Sequence, residues 1–228
     1  MSNSRPFVLR RSETAVSPER LSMLGDAVFA IAITLLALDI TVPEGLHDSE
    51  VAHAVREALP AVGAYLLSFA VIGVLWLSQH ALFEQVTTVD RPLLYLYFVL
   101  LAVVAALPFP TKLLSEYGET TTATAIYAGA IALALALLGA MYLRLLAVPA
   151  LATPNTAPER LRRTVRRSVL HTLIFATSVP LAFVSPGLAK YWWLLPIPVR
   201  FLFREPAETA QAPAAEELPG DLSGDTQT

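Results

Sequence analysis

Between Arg20 and Val42 the chain reads RLSMLGDAVFAIAITLLALDITV, apolar at every position from Ala27 to Leu38 except Thr34, with an acid at either end, Asp26 and Asp39. On a helix advancing about 100° per residue, Leu24, Ile31, Leu35, Leu38 and Val42 fall on one narrow stripe, with Thr34 at its edge and Asp26 roughly opposite. The stripe has the composition of a helix-packing seam or of the wall of a narrow pore. Asp26 lies just inside an apolar segment, where an unpaired carboxylate is costly, so it should face another helix and find a partner there.

A membrane-crossing helix needs roughly 20 mostly apolar residues. Six segments are expected on that basis: Leu21 to Val42, Leu59 to Phe83 entered at Pro60, Leu93 to Leu107 continuing through Pro108-Phe109-Pro110 toward Leu114, Thr124 to Leu146, Val169 to Val184 containing Pro180, and Tyr191 to Phe203, which is short and broken by Pro196 and Pro198. The fourth carries Ala128, Ala132, Ala136 and Gly139 along its length. Small residues at that spacing let helices approach closely, so this segment should be buried against its neighbours.

Composition agrees with the pattern: 55% hydrophobic and 15% charged residues, with a mean hydropathy of +0.56, belong to a polytopic all-α membrane protein and not to a soluble enzyme. There is no cysteine, which excludes disulfides, thiolate metal sites and cysteine nucleophiles. Three parts are expected: a polar N-terminal segment (1–19), a six-helix transmembrane domain (20–204), and an acidic tail (205–228) with six acids and no Lys or Arg. The tail is rich in Ala, Pro and Gly without periodicity, which reads as a disordered solvated end. The N-terminal segment resembles a signal-peptide n-region, but no small-x-small cleavage site follows its apolar run.

Basic residues set the orientation, because loops rich in Lys and Arg stay cytoplasmic. With both termini inside, 13 basic residues fall on the cytoplasmic side and three, Arg56, Lys112 and Lys190, fall outside. Tyr191, Trp192 and Trp193 then stand where an outer aromatic belt would be. The run RLRRTVRR from Arg160 to Arg167 serves as a topology signal or as a surface for anionic membrane lipid.

In the second segment Trp76 and His80 are four residues apart and share a helix face with Phe69 and Gly73. The first helix climbs while the second descends, which brings both to the depth of Asp26. An Asp26 to His80 hydrogen bond, with the Trp76 indole as a second donor, would satisfy the carboxylate. Such a pair pins two helices together, or relays a proton, since His titrates near neutral pH.

These residues also carry a resemblance. Arg20, Asp26 and the following AVFAIAITLLALDI resemble the first-helix signature of the transmembrane protein 175 family of potassium channels, an arginine, three residues, then Phe-Ser-Asp. Here Leu24 and Gly25 precede Asp26. Trp76-Leu77-Ser78-Gln79-His80 followed by Phe83 is similar to the family's tryptophan and paired-histidine stretch, with Gln79 at the first histidine position. Leu107-Pro108-Phe109-Pro110-Thr111 and Glu116 before Tyr117 are similar to the end of its third helix. The resemblance implies a homotetrameric channel in the cell membrane of a prokaryote, with the first helix of each subunit lining a central pore. It further implies a constriction made by Ile31, Leu35 and Leu38, a polar layer at Thr34, and an inner network of Arg20, Asp26, Trp76 and His80. The partners it implies are further copies of the chain, membrane lipid and permeating potassium, with no cofactor, metal site or nucleic acid.

Periodicity shows the stripe but not a conduit. There is no carbonyl-filter signature and no spaced array of arginines, so potassium preference comes from the resemblance alone. The alternative is a proton-coupled secondary transporter using Asp26 and His80. It predicts related halves around residue 110, and no repeat is evident. A membrane-embedded enzyme would need more than Asp26, His80 and Ser78: Ser78 points away from His80, and His47, His53 and His171 make no metal-ligand spacing.

Overall fold

The computed structural model describes residues 17–193, and its regular secondary structure is helical. The helices are α1 (Pro18–Ala37), α2 (Asp48–Glu57), α3 (Leu59–Phe83), α4 (Arg91–Ala106), α5 (Pro108–Tyr117), α6 (Thr121–Ala147), α7 (Pro158–Val184) and α8 (Pro186–Trp192). Five spans among them are long and apolar enough to cross a membrane: α1, α3, α4 with α5, α6 and α7. The core lies where α1, α3, α4, α5 and α6 pack on one another, and α7 attaches along α6 on the outside.

Local chemistry explains the helix limits. Ser17 caps α1 by accepting from the Arg20 N–H at 3.4 Å, with Pro18 in the first turn and Glu19 facing the positive end of the helix dipole. The break between α4 and α5 falls at Leu107 because Pro108 and Pro110 each remove a backbone donor. Leu107 instead donates to Val104 at 3.1 Å, and Thr111 resumes the ladder by donating to the Leu107 carbonyl at 3.1 Å.

Four features differ from the sequence expectations. The first helix stops at Ala37, so Asp39 and Val42 lie beyond it, and Asp39 pairs with Lys112 of α5 at 3.6 Å. The connection between the first two spans contains a helix, α2, whose start is fixed by the His47 N–H donating to the Glu50 carboxylate at 3.0 Å. Its apolar positions are few, so hydropathy alone passes over it.

The arginine run is not a loop but the opening turns of α7. Leu161 is buried and Val165 packs on the core, while Arg160, Arg162, Arg163, Arg166 and Arg167 remain exposed. Finally, Trp193 is not a belt residue. After the turn at Ser185, α8 doubles back along α7, and Trp193 is buried against Phe175 and Tyr127 while donating to the Ser178 hydroxyl at 2.9 Å. Tyr191 and Trp192 stay exposed. The sixth expected span lies outside the described residues from position 194 onward, as do residues 1–16 of the N-terminal segment and the tail at 205–228.

Ion pairs report which helix ends lie together. Asp90 before α4 meets Arg144 at the end of α6, whereas Glu119 before α6 meets Lys190 of α8 at 2.8 Å. The starts of α1, α4 and α7 and the ends of α3 and α6 therefore share one end of the bundle, which carries Arg20, Arg91, Arg144 and the α7 arginines. Arg56, Lys112 and Lys190 lie toward the other.

Three polar side chains buried inside the bundle are joined across helices. Ser68 of α3 meets the Thr111 hydroxyl of α5 at 2.8 Å and the Tyr127 hydroxyl of α6 at 3.0 Å, and Thr111 donates on to the Leu107 carbonyl at 2.9 Å. In the packing of α6 against α7, a Cβ on Gly139 would stand 2.8 Å from the Ser168 hydroxyl oxygen, which is why a small residue occupies that position.

Candidate functional site

The two faces of α1 have different environments. Leu21, Gly25, Phe29, Ala32 and Leu36 recur at helical spacing and are buried against the rest of the subunit. Roughly a third of a turn around the helix, Leu24 is 42% exposed, Ile31 59%, Leu35 42% and Leu38 70%, and Thr34 is exposed among them. The stripe turns away from the subunit core. It is free to meet lipid, a second copy of the chain, or a conduit between copies. Thr34 donates its hydroxyl proton to the Ile31 carbonyl at 2.9 Å, so its oxygen lone pairs remain free on the exposed side. Leu38 is the C-cap of α1.

Asp26 is half-buried beside α3, and Trp76 Nε1 donates to its Oδ1 at 2.8 Å. This differs from the expected Asp26 to His80 bond, and helix geometry gives the reason. Asp26 lies eight residues into α1 and Trp76 seven residues before the end of α3. At about 1.5 Å per residue in antiparallel helices the two come to the same height, whereas His80 is about one turn too close to the end. His80 stacks on the Trp76 ring at 5.7 Å, and its Nε2 lies 3.7 Å from the Glu84 carboxylate. Arg20 contributes its backbone N–H to the α1 cap, and its side chain joins no hydrogen bond or ion pair among the described residues. Asp26, Trp76 and His80 are thus brought together in sequence along one contact, and Arg20 stays apart.

A second polar contact to the base of α1 comes from residues that periodicity does not single out. Tyr97 of α4 is fully buried, donates to the Leu21 carbonyl at 2.8 Å and accepts from Gln79 Nε2 at 3.2 Å. Because the tyrosine proton is committed to Leu21, the amide nitrogen rather than its oxygen must face the phenol. Gly25 makes room for the contact: a Cβ there would fall on the Tyr97 hydroxyl. A glycine inside a helix costs about 0.5–1 kcal/mol relative to alanine, and buried hydrogen bonds of about 0.5–1.5 kcal/mol each offset that loss. The sequence signals were Gly25 and Gln79, each an odd residue for its apolar or aromatic surroundings.

One further pair braces the basic end. Arg144 Nε and one terminal guanidinium nitrogen donate to Asp90 Oδ2 at 3.1 and 2.7 Å, while Asp90 Oδ1 accepts the Leu93 N–H at 3.0 Å as the α4 cap. Burial works to raise the Asp90 pKa, and the Arg144 and Leu93 hydrogen bonds outweigh it, holding the carboxyl below its ordinary value. At the opposite end a cleft of about 480 Å³ opens between the segment that follows α1 and helices α2, α3 and α5, with Asp39, Glu57, Lys112 and Glu116 on its walls.

Comparison with known proteins adds a family context. The family described as "Endosomal/lysosomal potassium channel TMEM175" matches residues 20–108. A potassium channel of Streptomyces collinus is 35% identical over 207 residues, which cover 86% of this chain and 98% of that protein. A protein named "Endosomal/lysosomal proton channel TMEM175" from Gallus gallus is 39% identical over 112 residues, 46% of this chain and 22% of its own length. Among solved structures, the crystal structure of a lysosomal potassium-selective channel TMEM175 homolog from Chamaesiphon minutus aligns with a TM-score of 0.68 at 26% identity, covering 81% of this chain and 96% of that one.

Proposed function

The chain belongs to the TMEM175 family and is a potassium-permeable channel, and from that premise we propose that four copies assemble around a central pore lined by α1. The supporting observation is the outward face of α1. Its aliphatic ladder, Leu24, Ile31, Leu35 and Leu38, points away from the subunit core, so several copies are needed to enclose a path along it.

In this reading Ile31 and Leu35 form the narrowest ring and Leu38 extends it toward the α1 end. Aliphatic side chains give a cation nothing in exchange for its hydration shell, so the ring controls flux by how often it widens or wets. Thr34 supplies the one layer of oxygen lone pairs between them, and these face the conduit because the hydroxyl proton is held by the Ile31 carbonyl. Asp26 and Trp76 hold the base of α1 against α3, with His80 stacked behind the indole. The basic end of the bundle faces the cytoplasm of a prokaryotic cell, in keeping with its excess of arginine.

The alternative of a proton-coupled transporter calls on Asp26 and His80 as a bonded pair, and the Asp26 carboxylate instead accepts from the Trp76 indole, which weighs against that pairing. Planar-bilayer recording under a potassium gradient, joined to the mass of the detergent-solubilised particle, tests the proposal. Discrete currents from a tetramer are expected. Currents from a particle of one or two subunits would overturn the central pore.

A further inference from the structure

The Tyr97 hydroxyl is the point at which three helices meet. It belongs to α4, donates to the Leu21 carbonyl of α1, and accepts from Gln79 of α3, with its ring held edge-on to Phe83 at 4.7 Å. Within α1 the Leu21 carbonyl is already the ladder partner of the Gly25 N–H, four residues on. A second donor can reach that carbonyl only by passing over residue 25. The space for it exists because Gly25 has no Cβ; a side chain there would coincide with the tyrosine oxygen and crowd Gln79 Nε2 at 3.1 Å.

Hydroxyl, carbonyl and amide thus fit together only while position 25 is bare. The bond to Tyr97 is also the one hydrogen bond of the Gln79 side chain among the described residues, since its Oε1 is buried without a partner. Removing the phenol oxygen leaves a fully buried amide with nothing to bond.

The face holding Leu21 and Gly25 lies roughly a third of a turn around the helix from Ile31 and Leu35, which stand exposed beside it. A helix is stiff over this length, so a contact that fixes the rotation and depth of its buried face also fixes how far the exposed stripe projects. We propose that Tyr97 is a positioning residue for conduction: seated over Gly25, its hydroxyl sets the rotation and depth of α1 and thereby the width of the ring at Ile31 and Leu35. Trp76 grips the next residue, Asp26, from α3, so the base of α1 is held from two sides. The inference rests on the reading of α1 as the pore helix.

The test uses the full-length protein in planar bilayers, read by unitary conductance and by the potassium-to-sodium permeability ratio. Both are properties of one open channel and do not follow the fraction of protein that folds. Tyr97→Phe keeps the ring and removes only the hydroxyl, and it is expected to shift one or both readouts by about twofold or more, the scale on which packed networks couple to distant sites. Gly25→Ser alone should be at least as disruptive, because its side chain meets the phenol.

In the double variant Gly25→Ser with Tyr97→Phe, the serine hydroxyl can bond the Leu21 carbonyl one turn back and receive Gln79, and both readouts should return toward the parent. If Tyr97→Phe yields no assembled channel, the double variant decides: recovery of a parent-like channel supports the inference, and a double variant as defective as the single one overturns it. Ile31→Asn serves as the control for the pore. A silent Tyr97→Phe beside a responsive Ile31→Asn overturns the positioning role alone, whereas silence of both removes the pore reading as well.

Discussion

Trp76 Nε1 and Asp26 Oδ1 lie 2.8 Å apart, and this bond between α3 and α1 satisfies a carboxylate that hydrocarbon would otherwise strand. His80 is behind the indole, stacked on it, and takes no part in the bond. Trp76→Phe should therefore destabilise the assembled protein by about 1 kcal/mol, the scale of measured hydrogen bonds between membrane helices. His80→Ala should cost less, since Trp76 still holds Asp26. Thermal unfolding of both variants in detergent gives the order, and a His80→Ala cost equal to or above that of Trp76→Phe would contradict it.

The Asp90 to Arg144 pair predicts an acid limit. Asp90 is held below its ordinary value in the folded protein, so it contributes stability that is fully present above the unfolded value, about 3.9, and is lost as pH falls through the lower folded value. Stability of the parent should fall as pH drops below about 4. Asp90→Asn should be less stable at neutral pH and show a shallower loss over the same acid range. Equal acid slopes for variant and parent would assign the loss to other carboxylates.

Five of the expected spans, and the exposed stripe on α1 from Leu24 to Leu38, are legible in the sequence because period 3.6 and segment length act on many residues at once. Single contacts are not, because they depend on helix depth. A shift of one turn exchanges Trp76 for His80 as the partner of Asp26, and hydropathy does not fix where α3 ends to within a turn. Tyr97 is hidden for another reason. It sits in the run Tyr95-Leu96-Tyr97-Phe98, where Tyr95 is 68% exposed and Tyr97 fully buried, and only the packing of α4 on α1 separates them. Arg144 reads as one more cytoplasmic charge until the fold brings Asp90 to it, 54 residues away in the chain.

Gly139 of α6 faces Ser168 of α7 with no room for a side chain between them. Gly139→Val should push the helices apart and cost about 1–3 kcal/mol, as overpacking does in a filled core. Ser168→Gly in the same chain should recover part of the loss, because it clears the atoms the new side chain meets. Denaturation of the single and double variants measures this, and strictly additive losses would show that the two positions are not in contact.

The proposed pore makes its sharpest demand on the α1 stripe. If Ile31 rings the narrowest part, Ile31→Asn puts four amides where four aliphatic groups stood, so cations keep part of their hydration and cross more readily. Larger currents with weaker discrimination between potassium and sodium are expected. Thr34→Val, which keeps the shape and removes the oxygen, should lower selectivity while leaving a conducting pore, because the lone pairs freed by the bond to the Ile31 carbonyl are lost. The competing possibility is that the stripe meets only lipid or a neighbouring subunit. There an asparagine lacks partners and destabilises the assembly without opening a path. Liposome flux compared at equal amounts of assembled protein separates the two. Higher cation leak from Ile31→Asn supports the pore, and unchanged flux, or a decline that follows the loss of assembled protein, places the conducting path away from α1.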